Sequence, residues 1–186
     1  MSNVKKMCIC ALCIALCCVL PQAFHILPLG NNVGTALSPM HLPVLLCGLV
    51  CGWPYGLLCG LAGPVLSHLL FTMPPTPVLI PMIPELGVYG LAAGLGMQFI
   101  RTGRTLPDLY LSLLPALILG RIAGGVTQAF LYLSRTESYT IALWTGSYVV
   151  GTLPAIVLQL AVLPALVWGL MRAGLIPARY AARPVS

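Results

Sequence analysis

Charge is what this sequence has least of. Only 6% of its 186 residues are Asp, Glu, Lys or Arg, against about 25% in a soluble globular domain. A chain so poor in charge, and 59% hydrophobic, cannot present a water-compatible surface. A soluble fold is excluded, and helix-length apolar runs make it an all-α membrane protein with the lipid bilayer as its solvent. Acids are scarcer than bases, with three Asp and Glu against nine Lys and Arg. The bases are scattered near segment ends with no basic face, a placement that suits membrane orientation and excludes nucleic acid as a partner. No hydrophilic stretch is long enough to fold alone, so residues 1–186 form one domain. No GxxxxGK[ST] phosphate loop is present, so ATP is not hydrolysed by that route and energy must come from a partner. No HExxH or GxSxG is present either, and the acids are too few for an enzyme mechanism.

Six segments have the character of spans: Met7 to Phe24, Pro39 to Trp53, Tyr55 to Phe71, Pro77 to Ile100, Leu109 to Leu133 and Ile141 to Arg172. The N-terminal MSNVKK followed by an apolar run resembles a signal peptide. It lacks a clear small-x-small cleavage site, so it is expected to be a retained first helix. The second and third segments form one run broken at Gly52-Trp53-Pro54, where proline disfavours helix at the preceding residue; a tight hairpin is expected. Of eight basic residues outside the membrane core, seven (Lys5, Lys6, Arg101, Arg104, Arg172, Arg179 and Arg183) then fall on one side and only Arg135 on the other. The positive-inside bias makes that side cytoplasmic. The expectation is a six-helix transmembrane bundle with both termini in the cytoplasm.

The chain has eight cysteines. Cys10, Cys13 and Cys17 share a helix face, which admits a metal reading. The reading preferred here is the other one, cysteine as a small hydrophobe, because no His or carboxylate joins them in sequence; no metal and no cofactor is expected. The stripes Gly48, Gly52, Gly56, Gly60, Gly63 and Gly87, Gly90, Gly94 read as close helix packing. Trp53, Trp144 and Trp168 fall near segment ends, where an interfacial belt expects them.

Ionisable groups inside a membrane face the bundle interior or a wet cavity and mark function by default. Here they gather in the outer half. Glu85 lies about two turns into the fourth segment, with Tyr89 one turn below. Arg121 is near the middle of the fifth, Gln128 and Tyr132 follow on roughly the same face, and His41 and His68 lie near outer ends. Asn31 and Asn32, in the uncharged first outer loop, complete a candidate pocket open to the outside. Two readings of Arg121 stay open: a ligand contact, or a structural ion pair with Glu85. For each histidine a backbone hydrogen bond competes with a ligand contact.

Several stretches then carry a resemblance. Ala11-Leu12-Cys13-Ile14-Ala15 is an AxxxA pattern. SPMHLPVLLCGLVCGWPYGLLCGLAGPVLSHLLFTMPP follows a polar first outer loop, and IPELGVYGLAAGL comes after it. From Met7 to about Arg172 the chain resembles the substrate-binding S component of energy-coupling factor (ECF) vitamin transporters. The resemblance implies a multi-pass protein of a prokaryotic plasma membrane that binds a vitamin near the outer face under a lid formed by the first outer loop. It implies docking through Ala11 and Ala15 on a membrane coupling subunit driven by two ATPases. Among vitamins the sequence looks closest to pantothenate-type members; riboflavin, niacin, pyridoxine and folate serve relatives. Arg121 suits a carboxylate, and Asn31, Asn32, His41, Gln128 and Tyr132 suit hydroxyl and amide groups. A self-sufficient transporter relaying protons through Glu85 and a histidine is the alternative.

Overall fold

The computed structural model describes residues 1–26, 38–134 and 140–177. Described residues form seven α-helices and no strand: α1 (Asn3–Ile26), α2 (His41–Cys51), α3 (Trp53–Phe71), α4 (Thr76–Phe99), α5 (Thr105–Ser134), α6 (Ile141–Trp144) and α7 (Leu153–Arg172). A π-helical segment, Thr145–Val150, joins α6 towards α7. Five of these helices, α1, α3, α4, α5 and α7, are long and apolar enough to cross a membrane. Helix α2 has 11 residues, roughly 16 Å at 1.5 Å per residue, about half a bilayer core.

The hairpin expected between the second and third segments is present and turns on one residue. Gly52 ends α2 and precedes α3 with φ 94°, a left-handed backbone that glycine adopts without a Cβ clash. Pro54 sits in the first turn of α3, where its missing N–H has no helical partner to lose. The fifth span begins earlier than the apolar run implied. Asp108 lies in the first turn of α5, fully buried, and its Oδ1 accepts from the Thr102 backbone N–H at 2.8 Å and the Thr102 hydroxyl at 2.6 Å. A satisfied acid at a helix N-terminus is stabilising, so its charge does not end the helix.

The sixth span differs most from expectation, which had it continuous. Thr140 caps α6 by accepting from the Leu143 N–H. The chain then widens to an i→i+5 bond, Gly151 N–H to the Gly146 carbonyl at 2.8 Å, and turns at Gly151 and Thr152 before α7. Pro154 supplies the reason: it has no N–H to give to Val150, four residues back.

Helix α4 is the centre of the bundle, packed most extensively on α5 and α3 and also on α2. The glycine stripes act as the sequence implied. A Cβ at Gly90 would run into the Gly56 backbone, and one at Gly48 into the Gly90 carbonyl. Backbones approach closely because side chains are missing there. Helix α1 packs on α2 and α3 through Cys10, Cys13 and Cys17, all buried, as are Cys47, Cys51 and Cys59. Thiol hydrogens point at carbonyls: Cys10 and Cys47 both at Tyr55 (3.5 Å each), Cys17 at Met40 (3.7 Å). Among the described residues no group of three His, Cys, Asp or Glu is arranged to hold a metal ion. The opposite face of α1, with Ala11, Leu12, Ala15, Leu16 and Val19, is exposed.

Candidate functional site

The polar side chains of α2, α4 and α5 meet in one hydrogen-bonded chain. Helix α4 carries Glu85 and Tyr89 one turn apart, so both point the same way. The Tyr89 hydroxyl donates to Glu85 Oε1 at 3.2 Å. On the far side, Arg121 Nη1 of α5 donates to that hydroxyl at 3.0 Å. His41, first residue of α2, sets Nε2 at 3.4 Å from the same Glu85 oxygen. Its Nδ1 donates to the Ser38 carbonyl at 3.2 Å, so the Glu85 contact needs one proton between the two atoms. The His41 and Tyr89 rings meet edge-on at 5.1 Å. All four residues are buried, with Arg121 7%, Glu85 8% and Tyr89 0% exposed.

Arg121 does not snorkel. It also donates from Nη1 to the Leu117 carbonyl at 3.2 Å, from Nε to the Tyr148 carbonyl at 2.7 Å, and from Nη2 to Thr152 Oγ1 at 3.1 Å. Four of its five N–H groups are therefore engaged, every one with a neutral acceptor. The pairing of Arg121 directly with Glu85 does not occur: the ion pair found among the described residues is His41–Glu85, and a tyrosine hydroxyl stands between acid and guanidinium.

Besides the Leu117 carbonyl one turn back on its own helix, three partners of Arg121 could not be read from the sequence. Tyr148 contributes a backbone carbonyl from the π-helical segment, and the Thr152 hydroxyl, which itself donates to that carbonyl at 2.7 Å, follows the segment directly. Nothing in a sequence announces a carbonyl left open by a widened helix turn; Pro154 is the one local signal. The third is Trp144. It lies half-buried over Gly125, and its indole N–H donates to the Arg121 carbonyl at 3.3 Å. Gly125 admits the indole by having no side chain. The groove beyond it, lined by Ile122, Val126, Ala129, Thr140 and Ile141, is mostly apolar.

Of the other residues expected at the site, Gln128 and Tyr132 stand further along α5, both half-buried. His68 goes elsewhere: its Nδ1 donates to the Pro74 carbonyl at 2.7 Å, which ties the end of α3 to the following loop. Its place four residues before the turn Thr72-Met73-Pro74-Pro75 decides this, because that turn offers a carbonyl within reach. Asn31 and Asn32 lie outside the described residues. Gln159, fully buried on α7, has neither amide atom hydrogen-bonded among the described residues.

A family model described as ECF transporter, substrate-specific component matches residues 5–176 of the chain. No curated protein and no solved structure matches it.

Proposed function

The chain belongs to the family of substrate-specific components of ECF transporters, and from that premise we propose that the His41–Glu85–Tyr89–Arg121 network is its substrate site. As a member it is a membrane substrate-binding subunit that works with the transmembrane and ATPase modules of the transporter and binds a small ligand. The substrate we propose is a small anionic vitamin, pantothenate first among them. One observation carries this reading. A permanent cation is buried with four hydrogen bonds to neutral groups and no carboxylate in direct contact among the described residues. A charge held in low dielectric without a counter-ion is costly, and an incoming carboxylate supplies the missing one through charge-assisted hydrogen bonds. Gln128, Tyr132, Asn31 and Asn32 are proposed to meet the polar body of the solute; His68 is left as a tie within its own loop.

The proposed topology is six crossings of a prokaryotic plasma membrane by a single domain. The segment from Ile141 to Arg172 counts as one broken crossing, with α2 as a short one and both termini cytoplasmic. It rests on the distribution of basic residues. The network then lies in the outer half, reached from outside. The test is mass spectrometry of small molecules that co-purify with the protein in mild detergent: one anionic compound in near-stoichiometric amount is expected, and only neutral or cationic compounds would overturn the reading.

Ala11 and Ala15 are proposed to face the coupling subunit, for which their exposure on α1 leaves room. Ala11→Leu with Ala15→Leu should abolish ATPase-dependent uptake while leaving substrate affinity in the purified subunit unchanged; uptake at the wild-type rate would remove the docking face from α1. The proton-relay alternative draws on the His41–Glu85 contact. Uptake by cells lacking the ATPase subunits would favour it.

A further inference from the structure

Glu85 and Arg121 each have one hydrogen-bonding position left over among the described residues, and the two are of opposite kind. Glu85 receives the Tyr89 hydroxyl and faces His41 through Oε1, while no described residue donates to Oε2. That second oxygen lies over Gly124 of α5, where a Cβ would stand 2.8 Å from it and 2.9 Å from the Tyr148 ring. An ionised carboxylate accepts about four hydrogen bonds, so Glu85 has capacity in hand. Arg121 has one Nη2 hydrogen without a described acceptor, since its other donors go to Tyr89, Leu117, Tyr148 and Thr152. The Tyr89 hydroxyl links the same two side chains through their other atoms, Glu85 Oε1 at 3.2 Å and Arg121 Nη1 at 3.0 Å.

We propose that Glu85 is a second recognition point, and that the site selects anions that also carry a hydroxyl group able to reach it. The anion goes to Arg121 and the hydroxyl donates to Glu85 Oε2. This rests on the reading that Arg121 holds an anionic substrate, and it adds a requirement that reading does not contain. A simple carboxylate would satisfy the guanidinium and turn a negative charge towards Glu85 with no proton between them. A hydroxyl supplies that proton, and an O–H to carboxylate bond is among the stronger neutral-to-charged contacts. It also accepts, so it can take a hydrogen bond from the same guanidinium. Gly124 belongs to the same device: any side chain there would press on Oε2 and the Tyr148 ring.

The experiment is equilibrium binding to the full-length purified protein with pantothenate, with its analogue in which both hydroxyls are replaced by hydrogen, and with niacin as its carboxylate. Wild type should prefer pantothenate over the dideoxy analogue by roughly 10- to 100-fold, the range expected when a buried acceptor loses its donor. In Glu85→Gln the ratio should shrink towards one, mainly by weaker pantothenate binding. The wild-type ratio stands without any variant, so a poorly folding Glu85→Gln does not protect the proposal. Equal affinities for the matched pair, or niacin binding more tightly than pantothenate, would overturn the hydroxyl requirement and leave the anion reading standing. No binding by any of the three anions would remove both.

Discussion

Arg121→Ala is expected to weaken pantothenate binding by on the order of 2 kcal/mol or more, about 30-fold in Kd. The residue is 7% exposed, and its guanidinium is the only fixed positive charge in the network. The same substitution leaves the Tyr148 carbonyl and the Thr152 hydroxyl without their donor, so the thermal midpoint should fall as well. Affinity and stability must therefore be read separately. Arg121→Lys divides them: it restores a charge but not the planar fork that reaches Tyr89, Tyr148 and Thr152 together. If Arg121 serves the substrate, Lys should recover part of the affinity while remaining thermally impaired. A purely structural arginine would give lowered midpoints in both variants with unchanged pantothenate affinity in whatever protein stays folded.

The second large effect is expected far from any charge. Gly90→Ala places a methyl group against the backbone of Gly56, and backbone cannot rotate aside as a side chain can. Overpacking a tight core costs about 1–3 kcal/mol, and each kcal/mol lowers the midpoint by about 2–4 °C in a chain of this size. Gly90 follows Tyr89 and lies five residues beyond Glu85 on α4, so forcing α3 from α4 also shifts the site, and substrate affinity should fall with stability. Gly169→Ala on α7 is the control, because nothing lies within 4 Å of a Cβ there; it should be neutral or slightly stabilising, as Ala is the better helix former. A Gly90→Ala protein as stable as the Gly169→Ala protein would mean that α3 and α4 do not meet through their glycines.

Much of the fold was legible because hydrocarbon is an exacting solvent. Apolar run length, the break at Gly52-Trp53-Pro54 and the scarcity of charge located the spans and the hairpin. The fifth span was expected from Leu109, yet the helix begins at Thr105 and takes in Asp108, whose carboxylate Thr102 satisfies. The break in the last span was less accessible still, since Pro154 alone does not say that six residues before it will widen into a π-helix.

At the site the ionisable residues were found by rarity: a buried His, Glu and Arg in a chain this apolar have few places to go but towards one another. Their wiring was not legible. Sequence spacing shows that Glu85 and Tyr89 share a face, but not that Tyr89 stands between Glu85 and Arg121, nor that the guanidinium grips a carbonyl of another span. His68 shows the opposite case: its polarity suggested the pocket, while a local carbonyl at Pro74 was nearer. Trp144 lies at a segment end, where an interfacial belt is expected, and the sequence does not show that its ring rests over Gly125.

The most direct measurement is an experimental structure of the protein with the small molecule it retains on purification. The account predicts an anionic group within about 3.2 Å of the Arg121 guanidinium and a hydroxyl at the free oxygen of Glu85. A retained solute seated elsewhere, with Arg121 still bonded only to Tyr89, Leu117, Tyr148 and Thr152, would contradict it.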